Sequence, residues 1–420
     1  MRILLLSNLY PPYVGGGAEI LAGDIASVLE RSGHEVFVLT SSHGLSRPQQ
    51  EERIWRTLRL ISPAHFNRRR PLWQQFDQPL NYYRRYHYPA NASELRRAVA
   101  AIQPDILYIW EITGIGVNSL LKVLPDMPVP IVFHLGSYWL LYAQSPDTAQ
   151  SRLRVRGLKQ ALIGHVPTLT WTSLIAVSKT VKEEYARAGF DPARIEVIYN
   201  GIDPRFQAPA RAARSAGDEE LHLLFVGRLR VEKGIMTILK ALDLLLHSPD
   251  MTDNRFPELH LNIFGDGDEV YVNELKKFLR DTHMDNSVIF HGKIPQDELI
   301  DWYDRSHIML VPSLWKEPFG LVVAEAMARG LPVIASDVGG PAEIITHGMN
   351  GILTEPGNEH ALMLALKQLI ADPEKRAQFG HAARQVVQER FTIEQNAQKV
   401  EQHLLRTLPV TGKTGIVSNL

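Results

Sequence analysis

Short apolar runs recur along the whole chain, and within them apolar and polar residues do not alternate. In the first half they fall at residues 3–6, 36–40, 106–110, 131–134, 174–177 and 195–198, each followed by a loop or a stretch of helical spacing. The same rhythm returns at 223–226, 261–264, 288–290, 308–311, 333–335 and 352–353. A strand that is apolar at consecutive positions is buried on both faces, as in a parallel sheet covered by helices. Two doubly wound α/β units in series are therefore expected. Between them, residues 203–220 hold Pro204 and Pro209, then Ala, Arg, Ser, Gly and acidic residues without an apolar period, which is linker composition. Residues 391–405 restore helical spacing and predict a terminal helix with a frayed tail over 409–420. The division expected is a first domain over 1–203, a second over 204–390, and a helix with its tail over 391–420.

Composition narrows the function. A chain of 420 residues exceeds what one hydrophobic core usually spans, in keeping with two domains. Lys and Arg number 45 against 46 Asp and Glu, so no global field favours nucleic acid, and none is expected as a partner. The absence of cysteine excludes disulfides and thiolate metal sites and fits a reducing compartment. The first apolar run meets Ser7-Asn8 after four residues, too short for a secretory core, and no apolar stretch approaches the roughly 18 residues of a spanning helix. A cytoplasmic protein is expected, peripheral at most at the inner face of a membrane. One segment departs from this neutrality. Inside the stretch 41–100, residues 51–100 carry ten Arg against four acids, a balance of +6, together with Trp55, Phe66, Trp73, Phe76, Tyr82, Tyr83, Tyr86 and Tyr88. A basic aromatic insertion of this kind could meet anionic headgroups or an anionic acceptor. The favoured reading, since aromatic residues usually find core, is an ordered loop whose aromatics pack on their own domain while its arginines stay solvated.

Several strand ends carry candidate chemistry. Gly15, Gly16 and Gly17 follow the first strand and open a helix over 18–31, where glycine lets backbone N–H groups at a positive helix end approach an anion or a sugar. Residues 8–14 widen that loop beyond the dinucleotide fingerprint. In the second half, Arg228 and Lys233 lie between a strand and a helix, where ligands bind in open α/β sheets. A guanidinium fork and a mobile ammonium would together stabilise a diphosphate that gains charge as it leaves; singly, each is an ordinary surface cation. Glu317 and Glu325 stand eight residues apart around a helix start, where a carboxylate can accept from the paired hydroxyls of a ribose or hexose, or simply stabilise the helix. His134 ends its strand, a position that a purely structural histidine also occupies.

Taken together and in order, Gly15 to Gly17, His134, Tyr199-Asn200-Gly201-Ile202-Asp203, Gly227-Arg228 with Glu232-Lys233-Gly234, the segment EPFGLVVAEA at 317–326 and Gly339-Gly340-Pro341-Ala342-Glu343 resemble the retaining GT-B glycosyltransferases of family four. The resemblance spans nearly the whole chain, with 41–100 lacking a counterpart. It implies two Rossmann-like domains facing across a cleft, the first for the acceptor and the second for the donor, with a C-terminal helix crossing back. It further implies that Arg228 and Lys233 hold a donor diphosphate, approached by a backbone N–H of Gly15 to Gly17. Glu325 would bind the ribose. Glu317 would hold hydroxyls of the transferred sugar, with the amides of Phe319, Gly320 and Leu321. The base would lie beside Gly292, Lys293 and Ile294, with Glu298 and Tyr303 as structural neighbours. His134 would position the sugar, since in such enzymes the leaving phosphate itself is thought to deprotonate the acceptor.

Asp266-Gly267-Asp268 has the form of a metal-holding Asp-x-Asp pair, but it follows a strand in a glycine-rich turn, and Arg228 with Lys233 supply the charge a metal would bring. No metal and no cofactor are expected, the nucleoside-diphosphate sugar being a substrate. The acceptor would be a glycan, a lipid-linked or a small molecule. A nucleotide-sugar epimerase or hydrolase on the same fold, or a non-catalytic nucleotide-sugar-binding subunit, are the alternatives, because fold alone does not fix the reaction.

Overall fold

The computed structural model describes residues 1–61, 84, 86–144, 172–208, 220–248 and 257–409. It divides into two compact units, one of Met1–Tyr199 with Glu394–Leu420 and one of Asn200–Ile393. The first is built on β1 (Arg2–Leu6), β2 (Glu35–Ser41), β3 (Gln49–Gln50), β4 (Ile54–Leu58), β5 (Ile106–Ile109), β6 (Ile131–Leu135), β7 (Ser173–Ala176) and β8 (Ile195–Val197). Its helices are α1 (Gly17–Arg31), α2 (Pro89–Ile102), α3 (Val117–Val123), α4 (Trp139–Gln144) and α5 (Lys179–Arg187). The strands lie in the order β3-β4-β2-β1-β5-β6-β7-β8, parallel throughout except where β3 meets β4. Ile3 pairs with Val36 on one side and Ile106 on the other, so β1 is central and Ile3 to Leu6 are all fully buried. The strand order reverses between β1 and β5, where open α/β sheets place their ligands.

Strands β3 and β4 fall inside the segment 41–100, which sequence reading treats as an insertion. Arg56 and Thr57 interrupt the apolar run of β4, so its pattern resembles a solvated loop. Arg56 is nevertheless only 4% exposed: it donates to the carbonyls of Tyr10 (3.1 Å) and Pro11 and lies 5.3 Å from the Tyr13 ring. The expectation of uniformly solvated arginines is corrected here, because the loop after β1 turns its carbonyls inward and needs a buried donor. Trp55 is buried as well, with the Arg97 guanidinium 4.7 Å from its ring. Residues 62–83 and 85, which hold most of the aromatics on which a membrane contact would depend, lie outside the described residues.

The second unit contains β9 (Glu220–Val226), β10 (Glu258–Phe264), β11 (Val288–Gly292), β12 (Ile308–Val311), β13 (Val333–Ser336) and β14 (Gly351–Thr354). Around them pack α6 (Ile235–Leu246), α7 (Glu269–Asp281), α8 (Gln296–Arg305), α9 (Leu321–Ala328), α10 (Pro341–Ile344), α11 (Glu359–Ala371) and α12 (Pro373–Arg390). The order β11-β10-β9-β12-β13-β14, parallel at every pairing, is the dinucleotide-fold order with its reversal between β9 and β12. Leu223, Ile238, Leu242, Ile263, Leu310 and Leu366 anchor its core. Arg329, just after α9, forms a buried two-pronged pair with Asp304 of α8 (2.7 and 2.5 Å) and also donates to the carbonyl of Ala208.

Helix α13 (Ile393–Thr407) returns to the first unit. Asn396 donates to the Tyr199 carbonyl (2.6 Å), His34 Nε2 lies 2.6 Å from Glu401, and His403 sits between Ser173 (2.8 Å) and Glu196 (2.6 Å). Val400 and Leu404 are buried beside these contacts. Both the doubly wound α/β architecture and the terminal helix that crosses back agree with expectation.

Candidate functional site

In the second unit the candidate residues line the C-terminal edge of the sheet. The β9 to α6 turn holds Lys233 in a short 3-10 segment closed by Gly234 at φ 71°. A Cβ there would stand 1.9 Å from the Pro312 carbonyl at the end of β12, so only glycine lets the two loops meet. Leu314 N–H donates to the Glu232 carbonyl (2.9 Å) and fastens them together. Lys233 Nζ consequently reaches Glu317 Oε1 at 2.5 Å. The same oxygen accepts from Ser313 Oγ (2.6 Å) and Trp315 Nε1 (2.9 Å), and Lys233 Nζ lies 5.7 Å from the Trp315 ring. All three donors converge on Oε1, and among the described residues none donates to Oε2. One edge of the carboxylate is thus fixed and the other is left to accept.

The backbone of Glu317 is held from the opposite side, where its carbonyl accepts from Gly340 N–H (2.7 Å). Gly339, at φ 72°, is another position where a side chain would collide, its Cβ falling 2.5 Å from that carbonyl. The motif Gly339-Gly340-Pro341 therefore serves to press the Glu317 loop into place. Phe319 is buried against Phe391, while Gly320 caps α9 and Leu321 opens it, so that neither amide has an intrahelical acceptor.

Glu325, on α9, shows the same one-sided arrangement. Tyr303 donates from its hydroxyl to Oε2 (2.9 Å), and Oε1 has no donor among the described residues. Burial pushes this carboxyl up to about 7 from its ordinary 4.5; the Tyr303 hydrogen bond opposes the rise and the charge of Asp203 adds to it. Arg228 is exposed and forms no ion pair among the described residues. Ile294 is half-buried beyond β11, whose end is tied to β10 by Gly265 N–H donating to Gly292 (2.8 Å). Arg228, Ile294 and Glu325 share the strand-end edge, yet no hydrogen bond joins them to the Lys233–Glu317 pair. Asp268 of the Asp-x-Asp turn caps α7, accepting from Val270 N–H (2.8 Å) and Tyr271 N–H (3.4 Å).

The first unit places its candidates at the matching edge of its own sheet. Gly15, Gly16 and Gly17 are exposed, and the Gly16 amide is already taken by Glu19 Oε2 at 2.9 Å. His134 is only 1% exposed; its Nδ1 is 2.6 Å from the Tyr108 hydroxyl and its ring stacks on Trp110 at 3.9 Å. It is therefore packed into the sheet end as an aromatic cluster member. Glu111, which sequence reading did not single out, follows β5 at the reversal of strand order and accepts from Thr113 and from Ser137 (3.4 Å). Burial pushes its carboxyl up to about 7, opposed by the Thr113 hydrogen bonds. Ser313, Trp315 and Glu111 escaped notice because none belongs to a motif by residue type alone; the one available signal was the spacing of the hydrogen-bond donors Ser313 and Trp315 before Glu317, just after a strand.

Residues 207–386 match the family model of glycosyl transferases group 1, and residues 15–206 match that of glycosyltransferase family 4. The chain belongs to the group 1 glycosyltransferases. It is 29% identical over 413 residues to an uncharacterised glycosyltransferase of Methanocaldococcus jannaschii, covering 93% of this chain and 95% of that one. Among solved structures, it resembles the sucrose-phosphate synthase of Thermosynechococcus elongatus with a TM-score of 0.71 and 22% identity, over 96% and 98% of the two chains. It also resembles Anabaena HepE in complex with UDP-glucose, with a TM-score of 0.66 and 22% identity, over 97% and 100%. These likenesses establish the GT-B fold for this glycosyltransferase. Among its described residues no helix is long and apolar enough to cross a membrane.

Proposed function

We propose that this glycosyltransferase moves a hexose-type sugar, with retention, from a nucleoside-diphosphate donor to a glycan, lipid-linked or small-molecule acceptor. The observation that carries the reading is Glu317, gripped on one oxygen by Lys233, Ser313 and Trp315 and open on the other, at the strand-order reversal of the second sheet. A carboxylate fixed in this way recognises vicinal hydroxyls, and the adjacent ammonium keeps two further N–H donors for a phosphate. Arg228 adds the second cation for the diphosphate, and the Gly320 and Leu321 amides, with that of Phe319, face the same sugar. Glu325 Oε1 takes the ribose, and the Ile294 loop takes the base. HepE is described in complex with UDP-glucose, which makes a uridine nucleotide the first donor to test.

In the transfer, the bond from the sugar carbon to the β-phosphate oxygen breaks and leaves the nucleoside diphosphate. The acceptor oxygen bonds to that carbon on the same face, and its proton passes to the departing phosphate oxygen. Lys233 and Arg228 stabilise the charge that develops, so the step calls for no metal. In the first unit, the Gly15 to Gly17 loop is assigned to phosphate contact and His134 to positioning the sugar and to its electrostatics.

A thermal-shift panel of uridine, guanosine and adenosine diphosphates tests the reading, since a ligand that binds only the native state stabilises it by about 2.7 kcal/mol at a hundredfold excess over its dissociation constant. Lys233→Ala and Glu325→Ala should abolish the shift, and His134→Ala should keep it while lowering transfer. Stabilisation by none of the three nucleotides would refute the donor site.

A further inference from the structure

The two strands β9 and β10 begin with the same tetrapeptide, Glu220-Leu221-His222-Leu223 and Glu258-Leu259-His260-Leu261. They pair in parallel and in register, Glu220 opposite Glu258 and His222 opposite His260. With a side-chain period of two, the four leucines enter the core and the four polar residues share the other face. The cluster lies at the N-terminal edge of the sheet, the end opposite the donor residues.

There His260 Nε2 stands 3.6 Å from Glu258 Oε1 and 3.8 Å from Glu220 Oε2, and one ligand atom from each of the three residues lies within 4.8 Å of the others. Tetrahedral coordination at metal–ligand distances near 2.1 Å separates neighbouring ligand atoms by about 3.4 Å, so small carboxylate rotations would close the set on one ion. The imidazole is positioned for this. Its ring is 5.5 Å from that of His222, which is 6.0 Å from that of His307, and His307 Nδ1 accepts from the His222 backbone N–H at 3.0 Å. The carboxylates are exposed and free to turn, while the histidine is held.

A protonated histidine between two exposed carboxylates would gain little stability from the pairing. One nitrogen and two carboxylate oxygens with an open outer side instead make the donor set of a three-ligand zinc site completed by water. We propose that Glu220, Glu258 and His260 bind a first-row divalent cation, with Zn²⁺ the best fit, and so clip the first two strands of the second unit together. The imidazole ligand selects against Mg²⁺ and Ca²⁺, which prefer all-oxygen shells. The site is independent of the donor reading, because it sits at the other edge of the sheet.

The test is a titration of the metal-stripped, tag-free full chain with ZnCl₂, followed by calorimetry and thermal melting, with MgCl₂ as comparator. One Zn²⁺ per chain should bind and raise the melting temperature, with Mg²⁺ giving no effect at the same concentration. His260→Ala and the double variant Glu220→Gln/Glu258→Gln should each weaken Zn²⁺ binding at least about tenfold. Both should keep the wild-type thermal shift with the nucleotide diphosphate, which separates failure of this site from failure of the donor site. Absence of Zn²⁺ binding to the wild type, or equal binding by wild type and variants, would overturn the proposal.

Discussion

Donor binding should be linked to the ionisation of Glu325. Its carboxyl is pushed up to about 7 by burial, so in the free protein it is half protonated near neutral pH. In the proposed donor site the ribose hydroxyls donate to Oε1, which requires the ionised carboxylate. With a pKa of 7, the ionised fraction rises from about one-eleventh at pH 6 to ten-elevenths at pH 8, so affinity should increase about tenfold over that interval, equivalent to ~1.4 kcal/mol. At pH 7 about half a proton should be released per donor bound. An intact nucleotide sugar is the ligand of choice, because its diphosphate diester does not titrate in this range. Calorimetry in two buffers of different ionisation enthalpy measures the proton directly. Glu325→Gln should abolish both the pH slope and the release. Tyr303→Phe, which removes the one hydrogen bond that holds the pKa down, should move the midpoint to higher pH. Binding without proton release, or an unchanged slope in Glu325→Gln, would refute the reasoning.

Three further outcomes follow from the geometry. Replacing Trp315 by Phe keeps a ring beside Lys233 but removes the indole donor to Glu317, and loss of one hydrogen bond to a charged group should weaken nucleotide-sugar binding by about tenfold in calorimetry; an unaltered affinity would mean the indole does not orient the carboxylate. Arg329→Ala leaves Asp304 buried without its partner and should lower unfolding free energy by about 3–5 kcal/mol in a urea titration, whereas an exposed pair such as Lys277–Asp281 should cost no more than ~0.5 kcal/mol. Glu111 holds a proton in the folded chain between 4.5 and about 7 that the unfolded chain loses, so its contribution turns increasingly unfavourable as pH rises through that window and reaches about 3 kcal/mol by pH 8. Glu111→Gln should therefore be more stable than wild type at pH 8 and gain nothing at pH 4.5, as read from denaturant midpoints.

The strands were legible because parallel sheets bury both faces, and all twelve apolar runs are strands of the two sheets. The exceptions mark places where burial is one-sided or polar. β9 and β10 start three residues before their apolar runs, since Glu220, His222, Glu258 and His260 lie on the face opposite the leucine core and impose alternation. β4 escaped because Arg56 serves carbonyls that only the folded loop after β1 presents. The candidate residues Arg228, Lys233, Glu317 and Glu325 could be picked out from their strand-end positions. Their connection could not: Lys233 and Glu317 are 84 residues apart, and their pairing depends on Gly234 fitting under the Pro312 carbonyl.

That contrast bears on where the specificity of this enzyme resides. In the second unit, Gly234 and Gly339 are fixed by backbone approaches that no side chain permits, so the loops carrying Lys233 and Glu317 leave a recognisable imprint on the sequence. Gly15 and Gly16 in the first unit have room for a Cβ, and the polar groups at its strand-order reversal, Glu111, Thr113 and Ser137, are held by side-chain hydrogen bonds that many residue combinations could replace. A site made of backbone contacts resists change, whereas one made of exchangeable side chains can alter its ligand without disturbing the sheet beneath it. The strand-end loops of the second unit, which the proposed function assigns to the donor, are thus built to stay constant while the β1–β5 edge is free to vary. Substitutions at Glu111 and Ser137 should change which acceptors are used while leaving the nucleotide-induced thermal shift intact, and a panel of acceptors scored against those variants measures it; an equal loss across all acceptors, or a lost nucleotide shift, would place specificity elsewhere.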